Sequence, residues 1–124
     1  MRTESRVEPL VCIVDDDAAI RRSLVRLVES LGMRARAFAT PAELLDDEAG
    51  IDDLVCFLLD VHLPGMTGFE LYDRLVEAGH GTPVIFITGD PRADTGDRAA
   101  RADAVACLEK PYDEAAILEA LRRA

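Results

Sequence analysis

The sequence predicts a doubly wound α/β domain built on a five-stranded parallel sheet. Three observations carry this. Apolar runs alternate with helical patterns along the whole chain, with no repeat, low-complexity tract or Pro/Gly/Ser-rich linker between them. Four of the five runs are apolar almost throughout, as expected of strands covered on both faces. Strict βα alternation, five times over, leaves an open sheet with helices on both sides as the simplest arrangement. The length agrees, since 124 residues is one domain's worth, and 49% hydrophobic residues suffice for a core. The whole chain, 1–124, is therefore read as a single domain.

The elements follow in order. Residues 1–9 (MRTESRVEP) form a polar tail with no apolar stretch, which excludes a secretory signal. The predicted strands are Leu10–Val14 (LVCIV), Arg34–Phe38 (RARAF), 54–59 (LVCFLL), 83–87 (PVIFI) and 104–108 (AVACL). RARAF alternates, which suits an edge. A helix over 18–31 places Ile20, Leu24, Leu27, Val28 and Leu31 on one stripe. Arg21, Arg22, Arg26 and Glu29 then face water, and Gly32 stops the helix. Thr40-Pro41-Ala42-Glu43 reads as a capping box with proline at the first helical position, and Thr67 to Glu70 repeats the box. Asp90-Pro91 opens a fourth helix. Asp113 caps a fifth, which ends on Arg122 and Arg123 where the helix dipole favours them.

Charge narrows the function. Fourteen basic against 24 acidic residues give a net charge of −10. Nucleic acids and anionic membranes both demand basic patches, so neither is expected as a partner. No apolar run approaches the roughly 20 residues that a membrane span needs, and the expected location is cytoplasmic. Cys12, Cys56 and Cys107 lie far apart inside strand-like runs and form no CxxC pair; they read as reduced, buried thiols. His62 and His80 sit at no metal-ligand spacing; His62 reads as a surface ring and His80 as exposed. The acidic group Asp46, Asp47, Asp52 and Asp53 reads as a solvated loop, because strand-end geometry does not gather it. Among 14 basic residues Lys110 is the sole lysine.

In doubly wound sheets ligands bind beyond the carboxyl ends of the strands. The first run ends in Asp15-Asp16-Asp17, the third in Asp60 and the fourth in Thr88, and Lys110 follows the fifth. Clustered carboxylates raise one another's pKa unless a cation screens them. Oxygen-only ligands favour a hard ion, Mg²⁺ where phosphate is also bound. A carboxylate can attack phosphorus and hold the group as an acyl phosphate, while metal and ammonium offset the charge on its oxygens.

With VDDD (14–17), LLDVHLPGMTGFEL (58–71), FITG (86–89) and LEKPY (108–112) on the page, the chain resembles a response-regulator receiver domain of two-component signalling. The wording of FITG and LEKPY is most similar to receivers of the nitrogen-fixation regulator type. The resemblance implies a flavodoxin-like sheet of strand order 2-1-3-4-5, with Asp60 accepting a phosphoryl group. It implies that Asp15, Asp16, the Asp60 side chain and the backbone carbonyl of His62 hold Mg²⁺, while Asp17 starts the helix. Thr88 becomes the switch hydroxyl and Lys110 the family's lysine, with a cis bond to Pro111. The implied partners are a sensor histidine kinase or phosphotransferase, docked on the first helix, and a downstream effector. A phosphorylation-dependent dimer and a role in transcription regulation are further implications. The chain is then a phosphoacceptor that assists its own phosphorylation and dephosphorylation, and not an enzyme.

There are departures from the family pattern. Cys107 stands where an aromatic is usual, and Asp103 takes the glycine-like position closing the fourth helix. That helix, 92–102, has only alanines as apolar anchors and contains Gly96, so it is expected to be the most mobile ordered segment. Arg92, Cys107 and Tyr112 are expected on the output face. Two rival readings stand beside this one. A phosphatase of the haloacid-dehalogenase class shares the Asp nucleophile and Mg²⁺, but needs a second Asp where His62 stands. A flavodoxin-like binding module shares the fold, but three aspartates in the first loop would repel an FMN phosphate. The chain ends at Ala124 as the fifth helix completes, which leaves room for no DNA-binding effector within it. A stand-alone receiver and a receiver taken from a longer transcription factor both remain open.

Overall fold

The computed structural model describes residues 8–47, 51–89, 97–100 and 102–124. The elements are β1 (Leu10–Val14), α1 (Ala18–Ser30), β2 (Arg34–Phe38), α2 (Pro41–Asp47), β3 (Leu54–Asp60), α3 (Gly68–Glu77) and β4 (Val84–Thr88). They continue with a helical turn at 97–100, labelled α4, then β5 (Ala106–Glu109) and α5 (Glu114–Arg123). The strands form one sheet, all neighbours parallel, in the order β2-β1-β3-β4-β5.

Alternation along the strands builds two cores. Leu10, Cys12 and Val14 of β1 point to one face with Phe57 and Leu59 of β3, joined there by Phe69, Leu71, Tyr72 and Leu75 of α3. Val11 and Ile13 point to the other with Cys56, Leu58, Ile85 and Ile87, covered by Leu24 and Val28 of α1 and Ile117 and Leu121 of α5. Side chains fully removed from water in this way contribute about 1.5–3 kcal/mol each. β1 and β4 are buried along their whole length, as their apolar runs require. The fifth run behaves differently from expectation. It forms the second edge and is only half-buried, because β4 alone pairs with it. Its strand begins at Ala106, two residues later than the apolar run.

The caps explain where the helices start. Asp17 accepts hydrogen bonds from the backbone N–H groups of Ala19 and Ile20, and Asp113 from Ala115. Thr67 and Glu70 complete the reciprocal box on α3. On α2 the box is displaced by one residue: Thr40 Oγ1 accepts from Glu43 N–H at 3.2 Å, but the Glu43 carboxylate accepts from Ala39 instead of Thr40. Asp103 holds the left-handed backbone (φ 56) that closes α4, with Ala104 N–H donating to the Ala99 carbonyl. Of the polar tail, the Glu8 and Pro9 carbonyls accept hydrogen bonds from Arg34. His80, expected exposed, is half-buried, with its N–H donating to the Leu75 carbonyl. Asp47 of the acidic group pairs with Arg36, while Asp52 and Asp53 are exposed. Most of the expected fourth helix, including Asp90, Pro91, Arg92 and Gly96, lies outside the described residues. Among those described, no helix is long and apolar enough to cross a membrane.

Cys12 and Cys56 are free and buried, and burial pushes their thiols up to about 11 and about 12. Folded values above the ordinary 9.0 mean that these groups favour the fold below that pH and cease to do so as pH rises through about 11–12. Cys107 is half-buried, and its thiol is also raised, by burial and then by the charge of Glu109. At about pH 8, iodoacetamide should therefore modify Cys107 first and spare Cys12 and Cys56 until urea unfolds the chain. Peptide mass spectrometry of the native protein checks this; labelling of Cys56 at the rate of Cys107 would contradict the packing.

Candidate functional site

The order of the sheet decides what meets at its carboxyl edge. From β1 the chain runs to β2 on one side, while β3 lies on the other, so the strand order reverses between β1 and β3. The crevice expected at such a reversal opens where Asp15 follows β1 and Asp60 ends β3. Thr88 ends β4, and Lys110 follows β5. Asp15, Asp60 and Thr88 are the buried polar or charged residues found among those described, at 1%, 3% and 1% exposure. All three stand at this one place in an otherwise apolar interior.

Lys110 Nζ lies 3.0 Å from Asp60 Oδ2 and 3.0 Å from Asp15 Oδ2. The approach to Asp60 is a hydrogen bond; the approach to Asp15 is charge without an aligned donor, and Asp15 Oδ2 is left buried with no hydrogen-bond partner. Backbone groups hold the other oxygens: Asp17 N–H donates to Asp15 Oδ1 at 2.9 Å and His62 N–H to Asp60 Oδ1 at 3.1 Å. Burial raises the Asp15 carboxyl above its ordinary value, and the Asp60 charge adds to this; the Asp17 N–H and Lys110 offset part of it. Burial pulls Lys110 down, but its pairing with the Asp15 and Asp60 carboxylates outweighs this and leaves the ammonium above its ordinary value.

Asp15, Asp16 and Asp60 each bring a carboxylate oxygen to within 4.8 Å of the others. Three carboxylates against one ammonium leave an excess of negative charge, and Asp15 Oδ2, paired with Lys110 by charge alone, keeps capacity for a further cation. The donor set is oxygen only, which fits Mg²⁺. Asp16 is exposed, so this cluster is reached from solvent on one side.

Several contributors escaped the sequence reading. Arg21 was expected to face water, yet its Nη1 donates to the Asp15 carbonyl at 2.8 Å. The helical pattern makes Arg21 polar but says nothing of the strand-end carbonyl within reach of a long side chain. His62 donates its N–H to Asp60 Oδ1, a contact distinct from the metal role that the resemblance implies for its carbonyl. Gly68 opens α3 against the site: a Cβ there would stand 2.3 Å from the Asp60 carbonyl oxygen. Its signal was a glycine in a first helical turn, where it costs about 1 kcal/mol against alanine unless space demands it. Of the residues expected on the output face, Cys107 and Tyr112 pack against different cores. Cys107 packs with the α3 side of the core, whereas Tyr112 packs with the α1–α5 side, its hydroxyl on Ser23. The strand places Cys107 on one face of the sheet; Tyr112 lies past the turn at Pro111. Arg92 lies outside the described residues.

The ion pairs make a stability prediction. Lys110→Met keeps the stem and removes the charge, leaving two buried carboxylates unscreened. Without divalent cations the variant should lose about 3 kcal/mol, and Mg²⁺ should recover part of it. Urea unfolding with and without Mg²⁺ measures both; equal stability of variant and parent in chelator would refute the electrostatic account.

Comparison with known proteins agrees with this geometry. The family profile described as the response regulator receiver domain matches residues 11–122. The response regulator protein TmoT of Ectopseudomonas mendocina is 36% identical over 117 residues, covering 94% of this chain and 53% of that protein. The transcriptional regulatory protein FixJ of Azorhizobium caulinodans is 39% identical over 113 residues, 90% of this chain and 53% of the relative. The chain thus spans about half the length of the curated relatives it matches. Among solved structures, a signal receiver domain of an HD domain-containing protein from Pseudomonas fluorescens Pf-5 superposes with TM-score 0.85 at 27% identity, covering 95% of this chain and 94% of that one. A CheY-like receiver domain protein from Methanospirillum hungatei JF-1 gives 0.84 at 28%, covering 94% and 93%. Sheet order, a strand-end site of carboxylates and lysine, and near-complete coverage agree: the chain belongs to the response regulator receiver domain family, a family of signalling domains.

Proposed function

We propose that Asp60 is the phosphoacceptor of this receiver domain, taking a phosphoryl group from a phosphohistidine donor. The supporting observation is the setting of its carboxylate: buried at the end of β3, with one oxygen on the Lys110 ammonium and the other on the His62 N–H. In the reaction a carboxylate oxygen of Asp60 bonds to phosphorus while the donor's bond to phosphorus breaks and its electron pair leaves with the imidazole. The product is an acyl phosphate on Asp60. Asp15, Asp16, the Asp60 side chain and the His62 carbonyl would hold Mg²⁺, which when bound offsets charge on the phosphoryl oxygens. Lys110 offsets more of it and follows the new anion. Thr88, at the end of β4, supplies the switch hydroxyl to a phosphoryl oxygen. These same groups assist hydrolysis of the acyl phosphate, so the domain sets the lifetime of its own signal without turning over a separate substrate.

The donor is a sensor histidine kinase or a phosphotransferase, docked on α1. A groove of about 630 Å³ runs along that helix, lined by Ala18, Val25, Ala37 and the exposed Arg22 and Arg26. On a chain of net charge −10 this is a local basic surface, suited to an acidic partner. We read 1–124 as one cytoplasmic receiver unit, with 1–9 as its polar tail. It acts on a downstream effector protein or domain through a phosphorylation-dependent dimer, and in transcription regulation, as the names of several relatives suggest. Direct contact with nucleic acid or membrane is no part of this reading.

Acetyl phosphate with Mg²⁺ should add one phosphoryl group to the parent chain, read by intact mass, and none to Asp60→Asn. Labelling of that variant at the parent rate would overturn the assignment. Asp16→Asn, which removes a metal ligand, should weaken Mg²⁺ binding by at least about tenfold in a titration. Charge reversal at Arg22 and Arg26 together should slow transfer from the cognate donor protein while leaving labelling by acetyl phosphate unchanged. Equal slowing of both would place the damage in the fold and not in docking.

A further inference from the structure

Tyr112 stands two residues past Lys110, beyond the cis Lys110–Pro111 peptide. Its ring packs with the partly buried residues of the α1–α5 core. Its hydroxyl donates to Ser23 Oγ at 2.7 Å, joining two residues 89 apart in sequence. On the same helix, Arg21 Nη1 holds the Asp15 carbonyl at 2.8 Å. Helix α1 is therefore bonded both to the strand end that carries Asp15 and to the segment that carries Lys110. Those two arms meet where Lys110 Nζ stands 3.0 Å from Asp15 Oδ2 and 3.0 Å from Asp60 Oδ2.

A lysine ammonium sits on a flexible four-carbon stem, and fixing it costs side-chain entropy. Its place between two carboxylates is reproducible only if its backbone is held from both sides. On the strand side, Lys110 N–H donates to the Thr88 carbonyl at 2.7 Å. On the far side, past Pro111, the tie is the hydroxyl of Tyr112. We propose that Tyr112 is a positioning residue for the phosphoryl-transfer site: its bond to Ser23 braces the Lys110 segment against α1 and keeps the ammonium between Asp15 and Asp60. This rests on the reading of Asp60 as phosphoacceptor. Neither Tyr112 nor Ser23 belongs to the expected metal ligands, so the brace acts on group transfer through the placement of the Lys110 ammonium. Ser23 and Arg21 also line the groove along α1. An occupant of that groove touches the helix residues that brace the site.

Tyr112→Phe keeps the ring and loses the hydroxyl; Ser23→Ala loses its partner. In the full chain, with acetyl phosphate and Mg²⁺, each should lower the maximal labelling rate about fivefold, the worth of one hydrogen bond. The half-saturating concentration of acetyl phosphate should not move. The double variant should be no slower than either single one, because both remove the same bond, and Ser23→Thr, which keeps a hydroxyl, should stay near the parent rate. Amide exchange gives a readout independent of phosphorylation: the Lys110 N–H should exchange faster in both single variants while β1 and β3 amides keep their protection. Parent rates with unchanged Lys110 exchange, additive losses in the double variant, or faster exchange throughout the sheet would each overturn the proposal. Failure of the parent chain itself to take label at Asp60 would strike the phosphoacceptor reading instead, and Lys110 exchange would still decide whether the brace exists.

Discussion

The Lys110 ammonium, held between the Asp15 and Asp60 carboxylates, is the interaction on which the arrangement at the sheet's open end depends. Taking a carboxylate out of water costs several kcal/mol even after relaxation, and two side by side also repel. One cation at 3.0 Å from both makes that pairing tolerable, though not balanced, since Asp16 adds a third negative charge nearby. A site fully neutralised by its own side chains would have little attraction for a divalent cation, whereas this one keeps a buried carboxylate oxygen without a hydrogen bond.

Delivering that cation is the work of the whole sheet. Lys110 is 50 residues from Asp60 in sequence, and it arrives because β5 pairs with β4 in a register that sets Glu109 beside Thr88. β4 in turn pairs with β3 so that Ile87 lies beside Asp60. The pairings hold because β1, β3 and β4 are covered by apolar side chains on both faces, and a one-residue slip would exchange those faces. The apolar strands therefore fix the polar site, although none of their buried apolar residues takes part in its chemistry.

The site is also coupled closely to the helices beside it. Gly68 brings the start of α3 against the Asp60 carbonyl, with its N–H on the Val61 carbonyl at 2.9 Å. The next residue, Phe69, packs at a tilt against Phe86 with 4.5 Å between ring centres, and the Arg98 guanidinium of α4 lies 4.6 Å over the Phe69 ring. Contacts thus run without a gap from the Asp60 backbone to α4 on one face. On the other face α1 reaches the same site through Arg21 and Ser23. Cys107, where the family commonly has an aromatic, lies on the first of these faces beside Phe86.

Much of this was legible in the sequence because its causes are local. The period of apolar residues specified strands and helices, Asp17, Thr67 and Asp113 announced three helix starts, and the strand-end aspartates with a sole lysine marked the chemistry. Those features follow from backbone geometry and solvation within a few residues. What the sequence left undetermined depends on contacts between distant segments. RARAF showed its edge character by alternation, but AVACL is equally an edge and reads as buried, because an edge is defined by the absence of a neighbour. Arg21 reads as a solvent-facing charge, yet its long side chain reaches the Asp15 carbonyl once α1 packs beside β1. Tyr112 and Cys107 are five residues apart, and the folded chain packs them against the cores on opposite sides of the sheet. Local sequence determined which groups the chain would present at its strand ends. The packing of helices on the twisted sheet decided which backbone atoms and hydroxyls would hold them there, because hydrogen bonds between remote segments have no period in sequence.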